Sequence, residues 1–258
     1  MPFIKTELSG SVFRILLNRP EKYNSFIREM ALEMQSALDE AGNGKNVRAI
    51  FITGEGKAFH AGQDLAEAID PEGPGITKIV TEHYNPIIKK IRTIEKPVIC
   101  AVNGVAAGAG ANIALACDVV VAGKSATFLQ AFSKIGLIPD SGGTFFLPRL
   151  IGFGRASAVM MLGDKISASE ALQMGMIYKV FEDDTLQDEA MAIATTLAEM
   201  PTLGLGLTKR LLNESFFNKL ETQLDSEARI QTKAASTSDY REGVKAFLEK
   251  RKPNFKGE

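Results

Sequence analysis

Two glycine-lined turns and one aspartate carry the residue types and spacings that suit chemistry on a carbonyl compound. The first turn, Gly56–Leu65, reads GKAFHAGQDL, and the second, Asn103–Asn112, reads NGVAAGAGAN. Each follows an apolar, β-branched run, so each puts small residues just past a strand end, where the main chain can approach a ligand without a Cβ in the way. Two main-chain N–H groups converging from such turns would form an oxyanion hole, holding negative charge as it develops on a carbonyl oxygen. Close packing at the start of a small-residue helix is the other reading of either turn alone. The second turn is not a dinucleotide fingerprint, which needs three glycines at its own spacing and a later acidic residue.

The aspartate is Asp140, in Ile138-Pro139-Asp140-Ser141-Gly142-Gly143. It has two readings. As a helix N-cap it would serve a segment starting near Gly142, with Ser141 as its rival. As a general base it would be partly desolvated by Phe132, Ile135, Ile138 and Phe145, which raises a carboxyl pKa into a useful range. His60 and His83 are the only histidines, and each reads more naturally as structural. Cys100 and Cys117 sit in apolar runs and read as buried free thiols. No Cys/His cluster has metal-ligand spacing.

The elements that must position these residues alternate in type. Strands are expected at Ile4–Leu8, Val12–Leu17, Ala49–Thr53, Val98–Val102 and Val119–Ala122, each short, β-branched and bounded by Gly, Pro or Asn. Helices are expected from Ser25, as N-cap, to about Ala41, with Met30, Met34 and Leu38 in one stripe, and near Ile76–Arg92. Alternation of this kind predicts an α/β body. After about Thr185 the pattern is helical throughout: Leu186–Met200, Gly204–Phe217, Leu220–Lys233 and Asp239–Lys250. The turn Asp70–Gly75 reads as a mobile loop beside a site. The chain has 258 residues, 45% of them hydrophobic, enough to bury a core. Its 30 Lys+Arg against 31 Asp+Glu give no basic stripe for nucleic acid and no charge bias toward an anionic membrane. No signal peptide or bilayer-spanning run is seen, and a cytoplasmic location is the default expectation.

Taken in register, Lys57–Asp64, Ala101–Asp118, Gly136–Gly152 (GLIPDSGGTFFLPRLIG) and the tail Asp239–Phe255 (DYREGVKAFLEKRKPNF) resemble the enoyl-CoA hydratase/isomerase, or crotonase, superfamily. The resemblance runs from about Phe3 to Phe255. It implies a spiral of ββα repeats for acyl-CoA binding and catalysis, spanning residues 1–200. The C-terminal helical region, 201–258, would then serve trimerisation, as a trimer or a dimer of trimers, and coenzyme A contacts. It implies oxyanion donors at the main-chain N–H groups of Gln63 and Ala109. The stretch Lys57, Ala58, Phe59 and Ala61 would hold the adenine, with Asp64 and Leu65 following it. Phe247 and Lys250 match tail positions that meet the nucleotide. No cofactor is implied, since coenzyme A enters with the substrate.

Departures from the family pattern narrow the expected chemistry. Hydratases carry two glutamates at the positions of Asn112 and Phe132; an amide and a phenyl ring exchange no proton near neutral pH. The family's hydratases have Gly where Asp140 stands. A branch of aromatic dehalogenases uses an Asp there as nucleophile, with a Trp eight residues earlier; that residue is Phe132 here, and the chain has no Trp. The runs His83-Tyr84-Asn85-Pro86, PVICAVNGVAAGAGA, AFSKIGLIPDSGGTFFLPR and SDYREGVKAFLEKR are similar to the branch that isomerises ring-1,2-epoxyphenylacetyl-CoA in phenylacetate degradation. The resemblance therefore implies an isomerase with Asp140 as base and Asn112 and Phe132 lining the acyl site. A Δ3,Δ2-enoyl-CoA isomerase is the alternative within the class, and a non-catalytic acyl-CoA-binding protein the alternative outside it.

Overall fold

A computed structural model describes residues 2–258. Ten strands run β1 (Ile4–Ser9), β2 (Val12–Leu17), β3 (Ala49–Gly54), β4 (Ala58–His60), β5 (Val98–Val102), β6 (Val105–Ala107), β7 (Val119–Gly123), β8 (Thr127–Leu129), β9 (Lys165–Ser167) and β10 (Lys179–Phe181). They fall into two sheets: six strands in the order β1-β2-β3-β5-β7-β10, and four in the order β4-β6-β8-β9. From β3 to β8, consecutive strands alternate between the sheets. β3, β5 and β7 lie parallel in the first, while β4, β6 and β8 lie parallel in the second. The chain therefore winds as a spiral of strand–strand–helix turns.

The five strands of the expected set are the long ones, and β3 and β5 are buried along their whole length. Strands covered on both faces read as continuous apolar runs, which is why they show in the sequence. β4, β6 and β8 have three residues each. Their AFH, VAA and TFL carry no periodicity; tertiary pairing makes them strands, with an irregular register between Ala58 and His60.

Helix α1 (Arg28–Asn43) packs Met30, Met34 and Leu38 into the core. Its N-cap is Ile27, with no side-chain cap. This corrects the expectation at Ser25, whose hydroxyl accepts from Arg19 Nη1 at 3.2 Å instead. The Glu67 carboxylate takes over the capping work by accepting the Arg28 N–H at 2.9 Å. Two short helices follow β4, α2 (Leu65–Ile69) and α3 (Gly75–Lys78), and neither fully buries a residue. Next come a π-helical segment, Ile79–Tyr84, and α4 (Asn85–Thr93). Helix α5 (Ala109–Leu115) is buried throughout. Beyond it lie α6 (Gly143–Ile151), α7 (Phe153–Leu162) and α8 (Ala168–Met174). The remainder is helical: α9 (Leu186–Glu199), α10 (Thr202–Ser215), α11 (Leu220–Ala235) and α12 (Ser238–Leu248). Among the described residues no single helix is long and apolar enough to cross a membrane.

Candidate active site

The first turn leaves β4 through Gly62, whose φ is +93°. Phe26 clamps it on both sides: the Phe26 N–H donates to Gly62 O at 2.8 Å, and the Asp64 N–H donates to Phe26 O at 2.8 Å. In such a parallel bridge the residue between points the other way. The Gln63 N–H accordingly has no acceptor among the described residues. His60 sits beneath, fully buried, with Nδ1 accepting the Gly62 N–H at 3.2 Å and its ring stacked 4.1 Å from Phe26. Burial pulls its pKa down to about 3. It is a neutral strut and not a proton carrier at ordinary pH.

The second turn leaves β6 through Gly108, at φ +53° and ψ −125°. Its N–H is tied to Leu129 O at 2.8 Å. Ala109 then begins α5, and the N–H of a first helical residue has no partner within its own helix; none is found elsewhere among the described residues. The two turns abut. A Cβ on Gly62 would lie 3.8 Å from Ala109 N and 3.0 Å from Ala107 O. Glycine at 62 is what lets the two turns pack this closely, since a Cβ there would press on Ala107 O.

Asp140 reaches this place through α5. Asn112, one turn after Ala109, is 1% exposed. Its Nδ2 donates to Asp140 O at 2.8 Å, and its Oδ1 accepts from Gln130 Nε2 at 2.7 Å. Both ends of its amide are thus engaged within the chain. A Cβ on Gly143 would come 2.5 Å from Asn112 Nδ2, so only glycine admits this contact. The Ser141 hydroxyl donates to Asp140 Oδ1 at 2.8 Å, from a residue held at φ +50° and buried. Burial pushes the Asp140 carboxyl above its usual range, with the Ser141 hydroxyl working against that rise. Asp140 does not cap α6, whose N-cap is Gly142 with no side-chain bond. The expected desolvating set also needs correction. Phe132 is buried and its ring lies 3.6 Å from where a Gly108 Cβ would stand, but Ile135 and Ile138 are 53% and 82% exposed in the single chain.

The other expected residues spread along the chain. Lys57 is exposed ahead of β4; Ala58 and Phe59 are in it and buried, so Phe59 offers a ligand its main chain and not its ring. Ala61 is pinned through its N–H to Tyr23 O at 3.0 Å. Asp64 caps α2, accepting the Ala66 N–H at 2.9 Å. Burial alone would raise its carboxyl, but the Arg19 guanidinium, at 2.8 Å, and the Ala66 N–H hold it below the usual range. Leu65, next in line, is 55% exposed. Phe247, at the end of α12, lines a 460 Å³ cleft with Tyr240 and Val244 that contains none of the residues around Asp140. Lys250 is exposed just beyond it.

Three supporting residues escaped the sequence reading. Asn24 is fully buried and donates to Glu55 O at 2.9 Å and Ala58 O at 2.8 Å, tying the loop ahead of α1 to the first turn. Glu67 accepts from Gln63 Nε2 at 2.6 Å while it holds α1. Gln130 fixes Asn112. Their partners lie from 4 to 39 residues away, and no local pattern marks them. Among the described residues no group of three His, Cys, Asp or Glu could hold a metal ion.

Residues 7–258 match the family model described as enoyl-CoA hydratase/isomerase. The 1,2-epoxyphenylacetyl-CoA isomerase of Escherichia coli (strain K12) is 47% identical, over 100% of this chain and 99% of its own. A probable enoyl-CoA hydratase of Rhodobacter capsulatus is 43% identical over 98% of each. A crystal structure of a putative enoyl-CoA hydratase/isomerase from Mycobacterium abscessus superposes with a TM-score of 0.94 at 38% identity, covering 99% of this chain and 100% of that one. The spiral of strand–strand–helix turns, the match along nearly the whole sequence and these relatives agree: the chain belongs to the enoyl-CoA hydratase/isomerase, or crotonase, family of enzymes.

Proposed function

We propose that this enzyme isomerises an acyl-CoA thioester, namely 2-(1,2-epoxy-1,2-dihydrophenyl)acetyl-CoA, to the seven-membered oxepin-CoA. What supports the reading is two unpartnered N–H groups, on Gln63 and Ala109, carried by abutting turns, together with a single partly desolvated carboxylate whose main chain is tied to the Ala109 helix through Asn112. The similar epoxyphenylacetyl-CoA isomerase supports it.

In this mechanism the thioester oxygen lies between the two N–H groups, which acidify the carbon next to the carbonyl. Asp140 takes a proton from that carbon and leaves an enolate held by the same donors. The bond shared by the three- and six-membered rings opens, the ring expands, and Asp140 returns the proton to a ring carbon. No atom is gained or lost, and every group used belongs to the chain or the thioester. One carboxylate suffices, because the first transfer leaves it protonated for the second. Water addition finds no support, since Asn112 and Phe132 cannot hold and split a water. The same apparatus suits a second reaction, the shift of a Δ3 double bond to Δ2, because one base and one oxyanion hole serve both.

Assembly belongs to the same proposal. Phe153, Phe217, Phe247 and Leu248 are each more than 70% exposed in the single chain, and burying them between copies in a trimer or dimer of trimers would remove that apolar surface from water. The decisive experiment is an activity panel of the epoxide, a 3-enoyl-CoA and a 2-enoyl-CoA. Turnover of the epoxide at the highest kcat/KM is expected. Hydration of the 2-enoyl-CoA as the fastest reaction would overturn the reading.

A further inference from the structure

Tyr84 is fully buried, and its hydroxyl has no hydrogen-bond partner among the described residues. An orphaned buried hydroxyl costs stability and is uncommon in a well-packed chain. Its position is specific. Tyr84 ends the π-helical segment Ile79–Tyr84, just ahead of Pro86 in the first turn of α4. Proline has no N–H to give, so the turn before it widens; π segments of this kind occur often at functional sites. The ring stacks on Phe26 at 5.9 Å and on His60 at 6.4 Å, the two residues that shape the first oxyanion turn. One turn on, Ile88 shares the same face of α4, and its Cγ2 lies 3.6 Å from where a Gly142 Cβ would stand. That face of α4 therefore looks onto the loop carrying Asp140, while the Tyr84 ring packs on the residues that shape the Gln63 turn.

We propose that the Tyr84 hydroxyl hydrogen-bonds an oxygen carried by the acyl group close to its reacting carbon, which makes it a specificity-determining residue for oxygenated over all-carbon acyl-CoA substrates. The proposal rests on the functional reading above and deepens it. Nothing in the chain competes for the donor. The Phe26 ring and the aliphatic side chains accept no hydrogen bond, His60 Nδ1 is taken by the Gly62 N–H, and neither His60 nor the Asp140 carboxylate bonds the Tyr84 hydroxyl. Burial pushes the Tyr84 hydroxyl well above its usual range, and the charges on Asp140 and Glu67 push the same way, so it keeps its proton and donates. An alkenyl chain would leave the orphan unpaired; an epoxide or ether oxygen on an ortho ring carbon would satisfy it. The segment leading into the π-helical turn can give way: α3 buries no residue fully, and weakly packed segments open at low cost.

The test uses the whole protein, wild type and Tyr84→Phe, with two inert thioesters, 2-hydroxyphenylacetyl-CoA and phenylacetyl-CoA. Their Kd values are measured by calorimetry, and Tm is measured without ligand. The wild type is expected to prefer the hydroxylated thioester by ~10-fold or more, and the variant to lose that preference. The variant's Tm is expected to stay level or rise, because the group removed has no partner in the free chain. A wild type without the preference, or a variant that keeps it, overturns the proposal. So does an equal loss of both affinities with a lowered Tm, which would mark Tyr84 as purely structural. Should the preference hold while the wild type leaves the epoxide unconverted, the function proposed above fails and the Tyr84 assignment stands.

Discussion

The side-chain amide of Asn112 donates to the main-chain oxygen of Asp140 at 2.8 Å. The helix that begins at Ala109 therefore also holds the main chain of Asp140. Asn112→Ala would leave the Gln130 amide without its acceptor and the Asp140 carbonyl with only the Gly143 N–H, loosening the tie between Asp140 and α5. A kcat lower by ~10–100-fold with KM within threefold is expected, since small misplacements of a reacting group are costly. The stability loss should be about 1–3 kcal/mol. Steady-state kinetics and urea unfolding measure both; an unchanged kcat would mean that Ser141 and Gly143 hold the loop unaided.

Replacing the base itself separates chemistry from binding. Asp140→Asn should lower kcat by at least ~10²–10⁴-fold while acyl-CoA affinity stays close to wild type. Survival of kcat within tenfold would reject the general-base role. Loss of α-proton exchange with deuterated water in the variant is the companion readout.

The raised pKa of Asp140 gives a second signature, in stability. Burial favours the protonated form in the folded chain. The stability this provides is complete below the unfolded value of about 3.9 and is lost as pH rises through the folded value. At neutral pH the ionised, partly buried carboxylate is a burden. Asp140→Asn, which cannot ionise, is expected to raise Tm at pH 7 and to match the wild type near pH 3.5. Activity runs the opposite way in the wild type, falling as acid protonates the base.

Ala109 allows a donor to be deleted with little damage to the fold. It is the first residue of α5, where proline is well tolerated because the N–H is unused by the helix. Ala109→Pro should cut kcat by ~10²–10³-fold with Tm within a few degrees of wild type. A kcat within threefold of wild type would show that the thioester oxygen sits elsewhere.

Gly110 tests the packing beneath the donors. A Cβ there would stand 2.7 Å from the His60 ring at Cγ, on a helix with no room to retreat. Gly110→Ala is expected to destabilise by about 1–3 kcal/mol and to lower kcat by displacing both turns. Thermal unfolding and kinetics of the same preparation check the pair of effects, and a variant as stable and active as wild type would contradict the packing.

The long strands and the helical tail were legible because burial on both faces writes β-branched runs, and one-sided burial writes a helical stripe. The four helices from Leu186 onward start or end within two residues of their expected bounds. β4, β6 and β8 were illegible, because three-residue strands owe their form to pairing and not to composition. The expected cap at Ser25 failed for a related reason: the carboxylate that satisfies α1 comes from Glu67, 39 residues away. Within the site, Asp140 and the two glycine turns stand out by residue type. Gln130, Glu67 and the orphaned Tyr84 hydroxyl do not, since a hydrogen bond across a fold, or the lack of one, leaves no mark on a linear pattern.

The unpartnered groups at Gln63 and Ala109 are peptide N–H groups, which any residue but proline supplies. Inheritance of the winding alone thus passes on both groups, whatever side chains drift into those two positions. Change of chemistry is left to side chains elsewhere, of which Asp140 is the titratable one tied to this helix.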